Sequence, residues 1–251
     1  MSTNLQDGSR PTIVLVHGAF ADASGWNDVI ERLRAEGVQV MAPANPLRGI
    51  SIDAAYIASY LDQVPGPVIA VGHSYGGAVI TNAATNADNV VGLVYVAAFA
   101  PDEGERLIDI ESDSKDSVLS SALVEFRYPT GEGAETAVEF AIDPEKFHDA
   151  FAADLPAEQS ALMAATQRPV AELAFSEQSG EPAWKGLPSW AVVPTGDKAA
   201  GSDVVRSMAE RAGATITEVE GSHVIMISRP QDVADVILSA VAAVPQKEVE
   251  A

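Results

Sequence analysis

Cysteine is absent from this chain of 251 residues. Its absence excludes disulfide bonds, catalysis by a thiolate and metal sites built on cysteine. Histidine does not supply a metal-binding pattern either, because neither an H-x-x-x-H nor an H-E-x-x-H spacing occurs. The sequence therefore indicates neither a metal hydrolase nor an enzyme with a catalytic cysteine.

Long apolar runs are also missing. The closest candidate, residues 90–100, is shorter than the roughly 18 residues that a membrane-spanning helix needs, and it is typical of a strand in the core of a sheet. Residues 1–10 are polar and lack the basic start and apolar centre of a secretory signal peptide. We therefore expect a soluble, cytoplasmic protein.

Basic residues are scarce in comparison with acidic ones. Lysine and arginine together number 15, against 36 aspartates and glutamates, which leaves a formal net charge of −21. A field of this sign repels nucleic-acid backbones and anionic membrane surfaces. High solubility explains the charge more simply than an acidic recognition site does. We expect no nucleic-acid or membrane partner and a small molecule as substrate.

The chain does contain a turn with the spacing G-x-S-x-G, at residues 72–76. An apolar strand pattern precedes the turn and a helix pattern of small residues follows it. In a nucleophile elbow of this kind the serine sits in strained backbone geometry that holds its hydroxyl clear of the sheet. Gly72 and Gly76 then have to lack side chains, because the backbones of the strand and helix press on them. Ser74 is therefore the predicted nucleophile.

Histidine is the usual base beside a catalytic serine, and the chain has four histidines. His73 is adjacent to Ser74 in the turn, so we expect its side chain to point away from the hydroxyl. His17 closes an early strand, where it braces a loop, and His148 lies in a helix pattern within a long insertion. His223 follows the last predicted strand, late in the chain, as the order Ser, Asp, His requires. We therefore predict His223 as the general base.

The acid of such a triad accepts a hydrogen bond from the imidazole and fixes its tautomer. Asp197 follows the predicted strand Trp190–Pro194 in a Thr-Gly-Asp turn, and we favour it for this role. Asp102 is the alternative, because it follows the preceding strand, and Asp203 is a weaker one at a predicted helix start. The simpler interpretation of Asp197 is an aspartate that only caps its turn.

An apolar strand that ends in His-Gly, within residues 13–20, predicts the second half of an oxyanion hole. The loop after this strand can aim a backbone N–H at the elbow, so the hole would pair the amides of Ala19 and Tyr75. Phe20 ends the same segment. Phe20 and His148 are the candidate substrate-binding residues.

Strand and helix patterns alternate along the chain, which is typical of parallel sheets with right-handed crossovers. A chain of this length can bury about 75% of its extended surface, enough for one large core. We predict one α/β domain with a mostly parallel sheet of about six strands and helices on both faces. The predicted strands are Thr12–His17, Val38–Ala42, Val68–Val71, Val91–Ala97, Trp190–Pro194 and Thr215–Val219.

One connection, residues 101–186, is far longer than the dozen to about thirty residues of a single crossover. We call it the inserted segment. Pockets of open α/β sheets lie at the carboxyl edge of the strands, so we expect this segment to cover the active site. The prediction is a core of residues 1–100 and 187–251 with an inserted helical cap. The expected cap helices are Ser114–Leu123, Pro144–Ala152, Pro156–Thr166 and Val170–Phe175.

Together these motifs resemble the α/β-hydrolase superfamily and, within it, the small hydrolases grouped with plant methyl-ester esterases and hydroxynitrile lyases. The residues that carry the resemblance are His17-Gly18-Ala19, the elbow around Ser74, Thr195-Gly196-Asp197 and residues 222–230. The resemblance implies the α/β-hydrolase fold, a Ser74-His223-Asp197 triad and hydrolysis of small carboxylic esters through an acyl-enzyme. It also implies that no cofactor is needed.

Two other functions stay open on the same motifs. A small-molecule sensor can keep all the catalytic residues, and a lyase can use the same base without an acyl-enzyme. The hydroxynitrile lyases of this group carry lysine directly after the catalytic histidine, whereas this chain has Val224, which favours ester hydrolysis. Ser74 also stands where haloalkane dehalogenases need aspartate, and the elbow lacks the lysine of a phosphate-binding loop.

Overall fold

A computed structural model describes residues 10–131 and 133–244 of the chain. Residues 1–9, for which the sequence predicts no signal peptide, lie outside the described part. Within the described residues, no helix combines the length and the apolar character needed to cross a membrane.

The nine strands of the described chain form two separate sheets. Numbered along the chain, they are β1 (Thr12–Val16), β2 (Val40–Met41), β3 (Val68–His73), β4 (Val90–Val96), β5 (Leu123–Pro129), β6 (Thr136–Ile142), β7 (Val170–Ala171), β8 (Ser189–Pro194) and β9 (Thr215–Val219).

The larger sheet has six strands in the order β2-β1-β3-β4-β8-β9, and every neighbouring pair is parallel. Its central strands are almost completely buried, as expected for a parallel sheet that is covered on both faces. The α/β-hydrolase fold, with about six strands, is therefore confirmed. Val16 pairs with Gly72, which brings the end of β1 beside the predicted elbow.

Helices flank this sheet, and α1 packs against the last helix while α2 packs against α3. The helices are α1 (Asn27–Ala35), α2 (Ile50–Asp62), α3 (Tyr75–Ala83), α4 (Leu107–Asp113), α5 (Leu119–Ala122), α6 (Pro144–Phe151), α7 (Ala157–Thr166), α8 (Leu173–Ser176), α9 (Ser202–Arg211), α10 (Ile225–Ser228) and α11 (Pro230–Ala243). Short 3₁₀ turns occupy residues 23–26, 84–86 and 183–185.

The inserted segment is not purely helical, in contrast to the cap expected from the sequence. Strands β5, β6 and β7 form a three-stranded antiparallel sheet there. The residues expected as helix at 114–123 contain only the short α5, and those at 170–175 begin as β7 and continue into α8. The expected helices at 144–152 and 156–166 are present as α6 and α7.

The burial pattern explains why the small sheet escaped prediction. Most side chains of β5 are exposed or half-buried, and the exposed fraction of Phe126 is 51%. A strand that contributes so little to the core has a weak hydrophobic alternation, which is the main signal for strands. Pairing with β6 over seven residues, rather than burial, holds this strand in place.

Candidate active site

Ser74 lies at the junction of β3 and α3, with φ 53° and ψ −125°. Positive φ is strained for a residue with a side chain, and such strain occurs where the surrounding structure enforces it. Here the amide of Ser74 donates to the carbonyl of Val96 at 3.2 Å, and its own carbonyl accepts from the amides of Gly77 and Phe99 at 2.9 and 3.2 Å. The elbow is therefore clamped from β4 and from α3.

The glycines of the motif are required by close backbone packing. A Cβ atom on Gly72 would lie 2.5 Å from the carbonyl oxygen of Gly76, and one on Gly76 would collide with the carbonyl oxygen of Val16. Real Cβ atoms do not approach other atoms so closely, so a side chain at either position would displace the elbow. The sequence motif thus has the physical basis expected of it.

Asp197 and His223 meet beneath the elbow. The Nδ1 atom of His223 lies 2.8 Å from the Oδ2 atom of Asp197, and each residue is only 1% exposed. The Oδ1 atom of Asp197 accepts the amides of Ala199 and Ala200 at 2.9 and 3.1 Å. With Nδ1 donating to the carboxylate, the Nε2 atom of His223 is left as the proton acceptor.

The loops that carry this pair are also tied together through their backbones. The amide of Gly196 donates to the carbonyl of Gly221 at 3.0 Å, and the amide of Thr195 donates to that of Val219 at 2.9 Å. The two side chains come from separate loops at the carboxyl ends of β8 and β9, and these bonds fix the distance between the loops.

The alternative acids lie elsewhere. Asp102 forms an ion pair with Lys185 at 2.6 Å, and its side chain is 33% exposed. Asp203 accepts the hydroxyl of Ser114 at 2.6 Å and the amide of Lys115 at 2.8 Å, so it joins α9 to the inserted segment. Neither carboxylate has a hydrogen bond to a histidine among the described residues.

His73 points away from the hydroxyl of Ser74, as expected, and instead supports His223. Its Nε2 atom donates to the carbonyl oxygen of His223 at 3.0 Å, and the two rings lie 4.7 Å apart. Burial of the ring, together with its proximity to His223, holds the pKa of His73 well below its usual value. His73 is therefore neutral in the physiological range.

His17 braces a loop, which was also expected. Its Nδ1 atom donates to the carbonyl of Gly18, and its Nε2 atom accepts the amide of Asn45, both at 2.9 Å. Burial is the largest cause that lowers the pKa of His17 to about 4. A neutral His17 therefore joins the loop after β1 to the loop around Asn45.

Ser74 itself is 6% exposed, and the described residues include no hydrogen bond between its hydroxyl and His223. Catalytic hydrogen bonds of ligand-free enzymes are often long and tighten only when substrate is bound. The fold brings the three predicted triad residues to the same edge of the sheet, with the acid–base pair formed and the serine beside it.

The residues predicted for the oxyanion hole adjoin Ser74, because Tyr75 follows it directly and Gly18, the residue before Ala19, packs against its Cβ atom. The amides of Ala19 and Tyr75 donate no hydrogen bond to another group of the described chain, so both are free to bind an oxyanion. Tyr75 is anchored by its side chain, because its hydroxyl donates to Asp53 at 2.7 Å. Asp53 also accepts the amide of Arg48 at 3.0 Å.

Sequence reasoning missed Asp53, which is completely buried. Burial outweighs the bond from Tyr75 and raises the pKa of the Asp53 carboxyl, whereas burial and Asp53 raise that of Tyr75 well above its usual value. A signal was present in the sequence. Asp53, Ile57 and Leu61 are four residues apart on α2, so the acid lies on the apolar face of the helix.

A cavity of about 260 Å³ adjoins the site between the loop after β1, helix α7 and the loop after His223. Phe20 and Val224 contribute to its wall, but Ser74, Asp197 and His223 do not. Its apolar part is completed by Met163, Met226 and Ile227, and its charged groups are Asp22 and Asp28.

The predicted substrate-binding residues are placed differently. Phe20 has φ 59°, and its ring contacts Phe151 and Phe175 of the inserted segment, with ring centres 6.2 and 6.4 Å apart. Phe151 in turn lies 4.9 Å from the ring of His223. His148 is half-buried on α6 and does not line the cavity.

The sequence matches the model of the alpha/beta hydrolase family over residues 13–236. Among curated proteins, a "Carbendazim hydrolyzing esterase" of Nocardioides sp. (strain SG-4G) is 35% identical over 108 residues. That alignment covers 38% of this chain and 45% of the relative, so the comparison spans less than half of the relative's length.

Two solved structures share the fold over almost their entire length. Polyneuridine aldehyde esterase superposes with a TM-score of 0.76 at 20% identity, covering 92% of this chain and 99% of its own. Methylketone synthase I of tomato superposes with a TM-score of 0.74 at 21% identity, covering 93% and 98%. At such identities the likeness concerns the fold.

Proposed function

The chain belongs to the alpha/beta hydrolase family, and we propose that it is a serine hydrolase that cleaves small carboxylic esters. Ser74 is the proposed nucleophile, His223 the base and Asp197 the acid. Two of the similar proteins are named as esterases, which supports this class of reaction.

The observation that carries the proposal is the buried bond between His223 and Asp197 beside a strained serine elbow. The Asp197 carboxylate accepts a hydrogen bond from Nδ1 of His223 at 2.8 Å. The imidazole is thereby held with Nδ1 protonated and Nε2 free. This is the tautomer that a general base for a serine hydroxyl requires.

In the proposed first step, the Oγ atom of Ser74 attacks the ester carbonyl carbon while Nε2 of His223 takes its proton. The carbonyl oxygen becomes an oxyanion, which accepts hydrogen bonds from the amides of Ala19 and Tyr75. One such donor is worth roughly 10²–10³ in rate. The alcohol then leaves with the proton from His223, and the acyl group stays on Ser74.

The second step returns the enzyme to its starting state. A water molecule attacks the acyl carbon, His223 takes its proton, and Ser74 leaves as the free hydroxyl after the proton is returned to it. The carboxylic acid is the product. Asp197 stabilises the imidazolium in both steps without itself being protonated.

We propose that the cavity beside Phe20 and Val224 binds one substituent of the ester. Its volume of about 260 Å³ is at the small end for ligand sites and suits a short alkyl or single aryl group. The residues that line it include two aspartates and no lysine, arginine or histidine, so an uncharged group is favoured over a carboxylate.

The inserted segment, residues 101–186, is proposed to act as the cap over this site, on a core of residues 1–100 and 187–251. Phe151 and Phe175 contribute rings against Phe20, and Phe151 also contacts His223. These contacts exclude water from the acid–base pair, which strengthens its electrostatic interactions.

A panel of short-chain aryl and alkyl esters, varied separately in acyl and alcohol length, tests the proposal. Wild-type enzyme should turn over some of them many times, and a serine-directed phosphonate should stop turnover by adding to Ser74, identified by peptide mass. Ser74→Ala should abolish both, with a loss of about 10⁴ or more in rate. Ser59→Ala, an exposed serine on α2, is the matched control and should keep both.

A folded Ser74→Ala protein that keeps a tenth of the wild-type rate would exclude this mechanism. A phosphonate that labels another residue while turnover stops would move the nucleophile away from the elbow.

A small-molecule sensor on the same site is the second candidate, favoured by the 6% exposure of Ser74 under the inserted segment. A site this closed suits a ligand that is held for a long time. Single-turnover hydrolysis with retained product, at equal enzyme and ester concentrations, would favour the sensor over the enzyme.

A further inference from the structure

Asp154, in the inserted segment just after α6, contacts the loop that carries His223. Its Oδ2 atom accepts the backbone amide of Ser222 at 2.9 Å, and its Oδ1 atom accepts the Ser222 hydroxyl in a short hydrogen bond. Ser222 directly precedes His223 and is 4% exposed. One carboxylate thus accepts both hydrogen-bond donors of Ser222.

Gly221, the residue before Ser222, also packs closely against the Asp154 carboxylate. A Cβ atom on Gly221 would lie 2.7 Å from Oδ2 of Asp154 and would also collide with Ile225. Glycine at position 221 therefore allows the loop to approach the carboxylate closely. The Asp154 contact and the absence of a side chain at Gly221 are parts of the same arrangement.

Asp154 remains charged in spite of its partial burial. Desolvation opposes its ionisation, but hydrogen bonding, above all from the hydroxyl of Ser222, outweighs it and holds the pKa of Asp154 below its usual range. A carboxylate that accepts two hydrogen bonds is a stronger partner than a neutral group of the same shape.

His223 is supported on its other side by the core. His73 donates to its backbone carbonyl at 3.0 Å, and Asp197 binds its ring at Nδ1. The core therefore fixes the ring and the backbone of His223, whereas the inserted segment binds Ser222, the residue before it, through Asp154 and through the carbonyl of Phe151, which accepts the Ser222 hydroxyl at 3.5 Å.

We propose that Asp154 is a positioning residue, through which the inserted segment holds the Ser222–His223 loop where Nε2 can reach Ser74. The proposal rests on His223 being the base, as in the proposed function. If Asp154 has this role, the packing of the inserted segment against the core is coupled to activation of Ser74. Movement of the segment away from the core would then expose the site and also misplace His223.

The test compares Asp154→Asn with Asp149→Asn, which removes the same charge from an exposed position on α6. The readouts are kcat, KM and the rate constant for phosphonate addition to Ser74. Misplacement of a catalytic group by about 1 Å can cost about 10² in rate. We expect Asp154→Asn to lower kcat and the phosphonate rate at least tenfold while KM stays within about twofold, and Asp149→Asn to change neither.

Variants of Ser222 identify the partner of Asp154. Ser222→Ala removes the hydroxyl donor, and its effect on kcat should not multiply fully with that of Asp154→Asn in the double variant, because both weaken the contact between these two residues. Ser222→Thr keeps a hydroxyl and should restore most of the rate. Independent, multiplicative losses would overturn the proposal.

The outcome separates this inference from the proposed function. If phosphonate labels Ser74 at the same rate in Asp154→Asn and wild type, the positioning role is wrong and the serine mechanism stands. If wild type shows neither labelling nor turnover, the proposed function fails. The positioning role is then judged by imidazole NMR, in which an Asp154→Asn spectrum with unchanged His223 resonances would overturn it.

Discussion

The Nδ1 atom of His223 lies 2.8 Å from the Oδ2 atom of Asp197, although 25 residues separate the two in the chain. Both side chains are almost completely buried, and the second carboxylate oxygen is held by two backbone amides. Asp102, the main alternative acid in the sequence, instead pairs with Lys185 at 2.6 Å at the surface. The contrast between the two acids leads to the first prediction.

Asp197→Asn should lower kcat by about 10⁴, because an amide that donates to Nδ1 stabilises the wrong tautomer of His223. Asp102→Asn should change kcat by no more than about threefold, since only an exposed ion pair is lost. Initial rates on one aryl ester measure both, with circular dichroism to verify folding. A larger loss in Asp102→Asn would move the acid to that residue.

The value of kcat/KM should rise with pH in a single step, because the base has to be neutral to accept the proton of Ser74. The lowered pKa values of His17 and His73 keep both rings neutral near physiological pH, so neither accounts for this step. His223 and His148 are the two histidines left to compare.

Substitution of His148 separates these two histidines. His148→Gln should keep the inflection and alter at most KM or substrate preference, whereas His223→Gln should remove the activity. A profile that is flat from pH 5 to 9 with chemistry rate-limiting, or an inflection that disappears in His148→Gln, is incompatible with His223 as the base.

Stability should fall as the pH is lowered from about 6.5 towards 4. The folded protein holds the pKa of His17 at about 4, so the unfolded chain binds the proton first and acid favours unfolding. At pH 5 this histidine alone lowers the free energy of unfolding by about 2 kcal/mol relative to pH 7.5. Neutral His73 acts in the same direction, whereas Asp53, whose pKa is raised, opposes them.

Urea unfolding at pH 7.5 and pH 5 measures this loss. His17→Asn should reduce the difference between the two pH values, whatever its own stability, and His148→Gln should leave that difference as it is in wild type. An undiminished difference in His17→Asn would show that other groups cause the acid sensitivity.

Met163 on α7 lines the cavity and should control substrate size. Met163→Trp fills the space and should raise KM for the longer esters severalfold, while Met163→Ala should lower it, with little change in kcat. Leu162→Ala is the matched control, since Leu162 is 67% exposed on the same helix. Equal effects at both positions, measured on the ester panel, would mean that the cavity does not bind substrate.

Much of the fold could be predicted because the strands of the large sheet are buried on both faces. Residues 68–73 and 90–96 are apolar almost throughout, so their strands stand out in the sequence, whereas β2 was predicted longer than its two residues. The sheet of the inserted segment is shallow and partly exposed, so its alternation was too weak to be recognised. An exposed strand lacks the alternation of apolar and polar residues by which strands are predicted from sequence.

The sequence by itself determined the strained turn at Ser74, because this turn depends on glycines that lie within two residues of it. It also indicated that His17, at the end of a strand, braces a loop, whereas its neutral state follows from its burial in the folded chain. Both features depend on residues that are close in sequence, so short sequence patterns are enough to predict them.

Only the tertiary structure shows that Asp197, and not Asp102, contacts His223, because both aspartates follow buried strands and the difference lies in which loop reaches the histidine. It also revealed Asp53 beneath Tyr75 and Asp154 beside Ser222, whose partners are 22 and 68 residues away. The sequence around an aspartate does not show whether its carboxylate is solvated or buried in the folded protein. Its role follows from burial and from the donors around it, and folding alone brings those donors together.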